Sequence, residues 1–348
     1  VSKQKVTIQD IARKAGVSHS TVSRALRDNP LISLKMRTKI QQLAREMKYT
    51  PNSVARSLQN QRTHTIGVVV TSIDDPFFAE VVNGIEEQAS KAGLSIILSI
   101  SHRDLEKEIA AIDNLHQRRV DGILVADSHI NRHQTKQLAR IDVPIIAINS
   151  QTQEQAEIFN SVSIDDCLGA RLAVEHLISL GHTRIGYLGV GDRSKSNQQR
   201  LAGYQLALSV AGLPQNSDWI ALNNCDRTRI SDVSTGRQLL SQLATTGVTG
   251  IVCYNDMVAV GALLTCHELG ISIPQDLSLV GFDGIALSGY VTPPLTTVCQ
   301  PMQEMGRLAM QMLLDLLAEK PVENLVLLPY LVERGSSAVV KSDRFFSF

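Results

Sequence analysis

From Thr65 onward the sequence alternates short apolar runs with longer amphipathic stretches, and this alternation restricts the fold more than any other feature of the chain. The runs IGVVV, LSIILSI, DGILVA and PIIAIN come first, and after a break near residues 151–163 they are followed by RIGYLGV, WIALN, GIVCYN and LSLVGFD. Helical periodicity begins between them near Phe77, Leu105, Arg132, Cys167, Gln198, Ile230 and Asp256. A strand covered on both faces reads as a continuous apolar run, and reaching a parallel neighbour takes a crossover helix. The pattern therefore predicts two doubly wound parallel sheets, each with helices on both faces. Two such lobes bind small molecules in a cleft at the C-terminal ends of their strands.

The segment ahead of this body differs in charge. Over the whole chain 34 Lys and Arg balance 34 Asp and Glu. Residues 1–62 nevertheless hold thirteen basic groups against three acids, a net of +10, which leaves the remainder at −10. A basic head on an acidic body fits a nucleic-acid binder, although a solvated basic tail gives the same count.

Periodicity decides between them, because the head is patterned to fold. Thr7, with Gln9 and Asp10, opens a helix with Ile8, Ile11, Ala12 and Ala15 on one stripe, and Gly16 lets the chain leave it. Ser18 caps a second helix within VSHSTVSRAL. There Val17, Val22, Ala25 and Leu26 face inward, while Ser18, His19, Ser20, Thr21, Ser23 and Arg24 cover the other side. A third helix is expected from about Ser33 to Met47, with Met36, Ile40, Leu43 and Met47 inward. This is a helix-turn-helix, whose second helix enters the major groove of double-stranded DNA.

Composition, at 43% hydrophobic and 20% charged, is that of a globular protein. No apolar run approaches bilayer length and the start VSKQKVTIQD lacks the apolar core of a signal peptide, so a cytoplasmic protein with no membrane partner is expected. Cys167, Cys225, Cys253, Cys266 and Cys299 form no C-x-x-C pair. Reduced, mostly buried thiols are expected, with no metal site and no cofactor.

TIQDIARKAGVSHSTVSRAL, followed by YTPNSVARSLQNQRTHTIGVVV, resembles the N-terminus of the LacI/GalR family of bacterial transcription repressors. The resemblance continues through NGIEEQASKAG, VDGILV, HLISLGHTRIGYLG, RLAGYQLAL, YNDMVAVGAL, LSLVGFDG, TPPLTTVCQPMQEMGRLA and LVERGSS, nearly the whole chain. It implies an all-α helix-turn-helix head and hinge helix ahead of a periplasmic-binding-protein-like α/β body of two lobes. It places His19 and Ser20 where the family reads bases variably, and Arg24 where many members contact a base. Arg pairs bidentately with guanine, while Ser and His bond less selectively. Thr21 and Ser23 are expected to grip phosphate or to cap, and Thr7, Ser18, Asn29, Tyr49 and Asn52 complete the expected DNA face. In the linker, Pro51 cannot continue a helix, Asn52 or Ser53 can cap a new one, and Val54 to Leu58 allow about a turn and a half. This stretch resembles the family's hinge helix, with Leu58 as an apolar wedge in the minor groove flanked by Ala55 and Arg56; the alternative is a leucine packed on the body.

By the same resemblance the chain divides into a head (1–50), a linker (51–63), a first lobe (64–161 and 292–323), a second lobe (162–291 and 324–340) and a tail (341–348), with three crossings between the lobes. The tail KSDRFFSF has no heptads for a coiled coil, so a homodimer is expected. Arg200, Asn255 and Asp283 match the family's ligand-holding positions, and Ser72, Asp74, Asp75, Phe77 and Phe78 lie across the cleft, with Asn149 and Ser196 added. Phe77 or Phe78 either stacks on a sugar face or serves the core. An Arg, a carboxylate and an amide suit a polyhydroxylated effector. Where many relatives carry an aromatic residue, CDRTRISDVSTG offers Ile230 and Ser231. A sugar is the expected effector, with a nucleobase or a phosphorylated metabolite behind it.

Other functions have less support. GVGDRS supplies G-x-G without the third glycine or the later acid of a dinucleotide loop, so no enzyme is expected. A periplasmic-type sugar-binding protein accounts for the body but not the basic head. A regulator controlled by a phosphorylated carrier protein is a variant of the same class.

Overall fold

The computed structural model describes residues 6–49, 62–128, 138, 140–149, 159–190, 194–223 and 231–340. Two compact units part between Thr63 and His64. Among the described residues no helix is long and apolar enough to cross a membrane. The helix expected from Arg132, the linker residues Asn52, Ala55, Arg56 and Leu58, Cys225 and the tail lie outside the described residues.

The N-terminal unit is built from α1 (Ile8–Ala15), α2 (His19–Leu26) and α3 (Leu34–Glu46). Thr7 and Asp10 form a reciprocal capping box on α1, and Gly16, at φ 72°, takes the left-handed conformation that ends it. Ser18 and Ser33 cap the next two helices. Ile11, Ala12, Ala15, Val22, Ala25, Ile40 and Ala44 form the buried core, with Leu26, Met36, Leu43 and Met47 packed around it.

The C-terminal unit holds two six-stranded sheets. The first comprises β1 (Thr65–Val70), β2 (Ser95–Ile100), β3 (Gly122–Ala126), β4 (Ile145–Ile148), β5 (Asn160–Ile164) and β11 (Leu325–Leu327), in the order β11-β5-β4-β3-β1-β2 and parallel throughout. The second comprises β6 (Ile185–Val190), β7 (Ile220–Asn223), β8 (Gly250–Cys253), β9 (Ser278–Asp283), β10 (Thr296–Cys299) and β12 (Tyr330–Val332), in the order β12-β10-β9-β8-β6-β7. Only β12 runs antiparallel, against β10.

Helices cover both faces of each sheet, as the double-sided apolar runs require. Ile66, Val68 and Val70 of β1 pack under α4 (Pro76–Lys91) and α10 (Met302–Leu317), while Val69 turns to α5 (Leu105–Gln117). In the second sheet Ile185 and Tyr187 meet α6 (Asp166–Ser179) and α7 (Ser194–Val210). Leu188 and Val190 meet α8 (Asp232–Leu243) and α9 (Asp256–Glu268). The α8–α9 crossing is so close that a Cβ on Gly236 would stand 2.0 Å from the Val258 carbonyl oxygen, and one on Gly261 2.0 Å from that of Val233.

Three features differ from the sequence reading. Strand β5 falls inside the expected break because its residues alternate, with Ser161 and Ser163 buried beside Val162 and Ile164. VLLPYLVERG, which the expected bounds put wholly in the second lobe, is two strands in different sheets, divided at Pro329, which has no N–H for a ladder. β10 lies in the second sheet, paired with β9, although the expected boundary at 292 put it in the first lobe. The chain crosses between the sheets after β5, after β10 and after β11, so the expected boundaries 161/162, 291/292 and 323/324 each fall a few residues early. Cys253, Cys266 and Cys299 are buried free thiols and Cys167 is half-buried.

Candidate DNA-reading helix and ligand cleft

On α2 the polar side chains sort into two kinds. Ser18 accepts from the Thr21 backbone N–H at 3.2 Å, and its hydroxyl also bonds those of Ser20, at 2.8 Å, and Thr21, at 2.9 Å. Ser23 accepts from Arg27 Nη2 at 2.7 Å. His19 and Arg24 are exposed, and no hydrogen bond joins either side chain to another described residue. An exposed guanidinium on the outer face of a capped, rigid helix is available for a base edge. Three further expected DNA residues have local work: Thr7 caps α1, Asn29 Oδ1 accepts from the Leu31 N–H at 2.9 Å, and Tyr49 packs on the head's core.

In the body, both sheets put their strand order reversal at the first strand of the lobe, β1 between β2 and β3 and β6 between β7 and β8. Loops after these strands line a cleft enclosing about 350 Å³ of non-protein space that includes open solvent. Asp75, Phe77 and Phe78 enter it after β1, Asn149 after β4, and Arg200 from α7. Asn255 enters after β8 and Asp283 at the end of β9. Ser72 and Ser196 do not line it. The Ser72 hydroxyl accepts from the Asp74 N–H at 3.1 Å, closing a local turn, and the Ser196 hydroxyl is bonded to Tyr254 Oη at 2.8 Å.

Four lining residues are absent from the sequence reading: Arg103, Asp127, Tyr254 and Gln300. Each comes just beyond a strand, after β2, β3, β8 and β10. The sequence signal that points toward them is the cleft expected at the C-terminal ends of the strands.

Most polar groups in the cleft are already engaged. Arg200 is 3% exposed; its Nε donates to Asp166 Oδ1 at 2.8 Å, its Nη1 donates to the Tyr254 carbonyl at 2.6 Å, and Asp283 Oδ1 lies 3.7 Å away. Its guanidinium carbon stands 3.7 Å from the Phe282 ring centre and 4.7 Å from that of Tyr254. Burial opposes its charge, yet Asp166, Tyr254 and Asp283 raise its pKa above the ordinary arginine value. Asp283 takes a hydrogen bond from Gln300 Nε2 at 2.7 Å. Burial pushes its carboxyl well above the usual carboxylate range against the pull of Arg200, and Asp256 and Asp75 add to the rise. Asn255 is half committed: Oδ1 caps α9 from the Val258 N–H at 2.9 Å, and Nδ2 donates to Asp232 at 2.7 Å. Asp75 caps α4 and lies 3.7 Å from Arg103 Nη2. Phe77 and Phe78, each 5% exposed, meet edge to face at 5.2 Å and serve both the cleft wall and the core.

Two oxygens are different. Asn149 Oδ1 and Gln300 Oε1 are buried without a hydrogen-bond partner among the described residues. A buried polar atom left unpaired costs free energy, so each is a place where a ligand donor would be welcome. The backbone also departs from its usual range here, with φ 52° at Asp127, 58° at Asn149 and 105° at Asp283. Non-glycine residues held there store strain, and all three line the cleft.

Comparison with known proteins covers both units. Residues 7–52 match the family of bacterial regulatory proteins described as the lacI family, and residues 174–337 match the periplasmic binding protein-like domain. The ribose operon repressor of Haemophilus influenzae is 36% identical over 333 residues, 95% of this chain and 98% of the relative. A lac repressor dimer bound to operator and the anti-inducer ONPF superposes with a TM-score of 0.85 at 29% identity, covering 96% of this chain and 100% of that one. A LacI family transcriptional regulator from Enterococcus faecium with bound ribose gives 0.70 at 30% identity, over 80% and 100%.

Proposed function

This chain belongs to the lacI family of bacterial regulatory proteins, and we propose that it is a dimeric transcriptional repressor, working in the cytoplasm, whose operator affinity is set by an uncharged sugar in the cleft of its body. Membership of that family makes it a DNA-binding regulator and sets aside a binding protein without a regulatory role. On α2, His19, Ser20 and Arg24 read bases and Ser18, Thr21 and Ser23 hold the helix end and approach phosphate, in line with the partners of those three inside the head. No catalytic step enters this reading.

The observation that carries the choice of ligand is the charge of the cleft. Asp75, Asp127 and Asp283 line it against two guanidiniums, those of Arg103 and Arg200, and Arg200 already faces Asp166 and Asp283. Each guanidinium lies beside a carboxylate, Arg103 near Asp75 and Arg200 near Asp166 and Asp283, so the lining offers little positive charge to a phosphorylated metabolite. Acceptor oxygens beside Arg donors instead match paired hydroxyls, and the rings of Phe77, Phe78 and Tyr254 offer apolar surface to a sugar face. D-ribose is the first sugar to test, because one relative is a ribose operon repressor and another carries ribose. Thermal unfolding with D-ribose, other monosaccharides, nucleosides and their phosphates tests the assignment, since a ligand that binds only the folded state raises its stability. A rise with a neutral sugar supports it; a rise with phosphorylated compounds alone overturns it.

A further inference from the structure

Asn255 and Asp256 stand together at the start of α9 and divide their work. Asn255 caps the helix, whereas the Asp256 carboxylate, fully buried, bonds groups on other elements. Its Oδ2 accepts from the backbone N–H groups of Gly284 and Ile285, each at 2.9 Å, just beyond the end of β9. Its Oδ1 accepts from the Thr297 hydroxyl of β10 at 2.5 Å. The carboxylate rests against β9 where that strand has no side chain, since a Cβ on Gly281 would stand 2.2 Å from Oδ1. Asp256 itself does not line the cleft.

What these bonds hold is the backbone of Asp283, which does line the cleft. The peptide unit between Asp283 and Gly284 is gripped at both ends: its N–H donates to Asp256, and its carbonyl accepts from the Gln300 N–H at 3.0 Å. Asp283 stands at φ 105°, a conformation that a residue with a side chain keeps only where its surroundings over-determine it. We propose that Asp256 is a positioning residue for effector recognition: without meeting the ligand, it fixes the backbone from which Asp283 reaches into the cleft. The inference rests on the reading of Asp283 as a contact of the bound sugar. A carboxylate is costly to bury, and here two backbone N–H groups, a hydroxyl and the start of a helix compensate it. Acceptor oxygens are what the role requires, so an amide at this position can still hold both N–H groups with its oxygen while its NH2 donates to Thr297 Oγ1.

The test is calorimetric titration of D-ribose, D-galactose and D-glucose into the wild-type protein, Asp256→Ala, Asp256→Asn, Asp283→Ala and the double variant Asp256→Ala/Asp283→Ala, each below its own melting temperature. For the sugar that binds, Asp283→Ala and Asp256→Ala should each lose at least tenfold in affinity, and Asp256→Asn should stay within about threefold of the wild type. The double variant should bind no more weakly than Asp283→Ala, because the aim of the backbone no longer matters once the carboxylate is gone; a residue that served stability alone would add a separate loss. Wild-type affinity in Asp256→Ala, a loss in Asp256→Asn as full as that in Asp283→Ala, or additive losses in the double variant would overturn the assignment while leaving the sugar reading intact. Hydrogen exchange on the wild type stands even if Asp256→Ala folds poorly: the amides of Gly284 and Ile285 should be as protected without sugar as with it, and protection that arises only on binding also overturns it. Failure of all three sugars to bind the wild type, or wild-type affinity in Asp283→Ala, would overturn the reading on which this inference rests.

Discussion

Arg200 Nε donates to Asp166 Oδ1 at 2.8 Å, and the two side chains are 4% and 0% exposed. Asp166 is the first residue of α6, reached directly after the chain's first crossing between the sheets, so the cation lining the cleft is anchored to the start of the second lobe. Such a pair is expensive to break from one side, since the surviving charge stays buried.

Asp166→Ala should therefore destabilise the body by about 3–5 kcal/mol, the usual cost of orphaning one partner of a buried ion pair. Asp166→Asn, which can still accept a hydrogen bond from Nε, should lose less. Urea unfolding followed by circular dichroism measures both. A loss within error of zero for Asp166→Ala would mean that Asp283, 3.7 Å from Nη1, already suffices as counter-charge.

The head allows a cleaner separation of stability from function. Arg24 is exposed and joined to no described residue by a hydrogen bond, so Arg24→Ala should leave the unfolding midpoint unchanged. It should cost about 1–3 kcal/mol of operator binding and relax preference at one symmetric pair of base positions. Selection of binding sites from a random pool is the check, and an unaltered consensus would remove Arg24 from base reading.

Acid should loosen the second lobe through two histidines. His182 bonds Thr249 Oγ1 at 2.9 Å and the Ala338 carbonyl at 3.0 Å, and His176 bonds Ser337 Oγ at 2.8 Å, so both clasp the final segment of the body. Burial lowers both pKa values below the ordinary histidine value of 6.5, against the pull of Glu333 on His176 and of the Ala338 carbonyl on His182. The unfolded chain then takes up protons first, and the stability these groups contribute, present above pH 6.5, is lost as pH falls through their folded values. Asp256, pushed up to about 7 by burial against hydrogen bonds from Thr297, Ile285 and Gly284, works with the opposite sign. The comparison must therefore be between variants. From pH 7.5 to 5.5, His182→Gln should lose less thermal stability than the wild type, and equal losses would contradict a buried neutral imidazole.

Much of this fold was legible because local pattern and tertiary role coincide. Runs such as IGVVV, with Val68 and Val70 facing one helix layer and Val69 the other, can only be central strands. Legibility failed where polar residues are buried or where proline divides a run, at Ser161 and Ser163 of β5 and at Pro329. In the cleft, Arg200 and Asp283 could be singled out by place in the sequence, but their partners could not. Asp166 lies 34 residues from Arg200 and Gln300 lies 17 from Asp283, and only the folded topology brings them together. The hydroxyls of Ser72 and Ser196 differ from these: they bond within the chain, to the Asp74 N–H and to Tyr254 Oη.

A sugar-controlled repressor is tested most directly by measuring one coupling from both sides. Operator DNA is titrated with the protein, with and without saturating D-ribose or whichever monosaccharide raises its melting temperature, and the sugar is titrated with and without operator. Ligands coupled through one protein must change each other's affinity by the same factor, typically about 5- to 150-fold. The predicted result is a shift of that order, equal in the two titrations and abolished in Asp283→Ala, whose operator affinity without sugar stays near that of the wild type. Operator affinity indifferent to a sugar that demonstrably binds, or a shift that survives in Asp283→Ala, would contradict it.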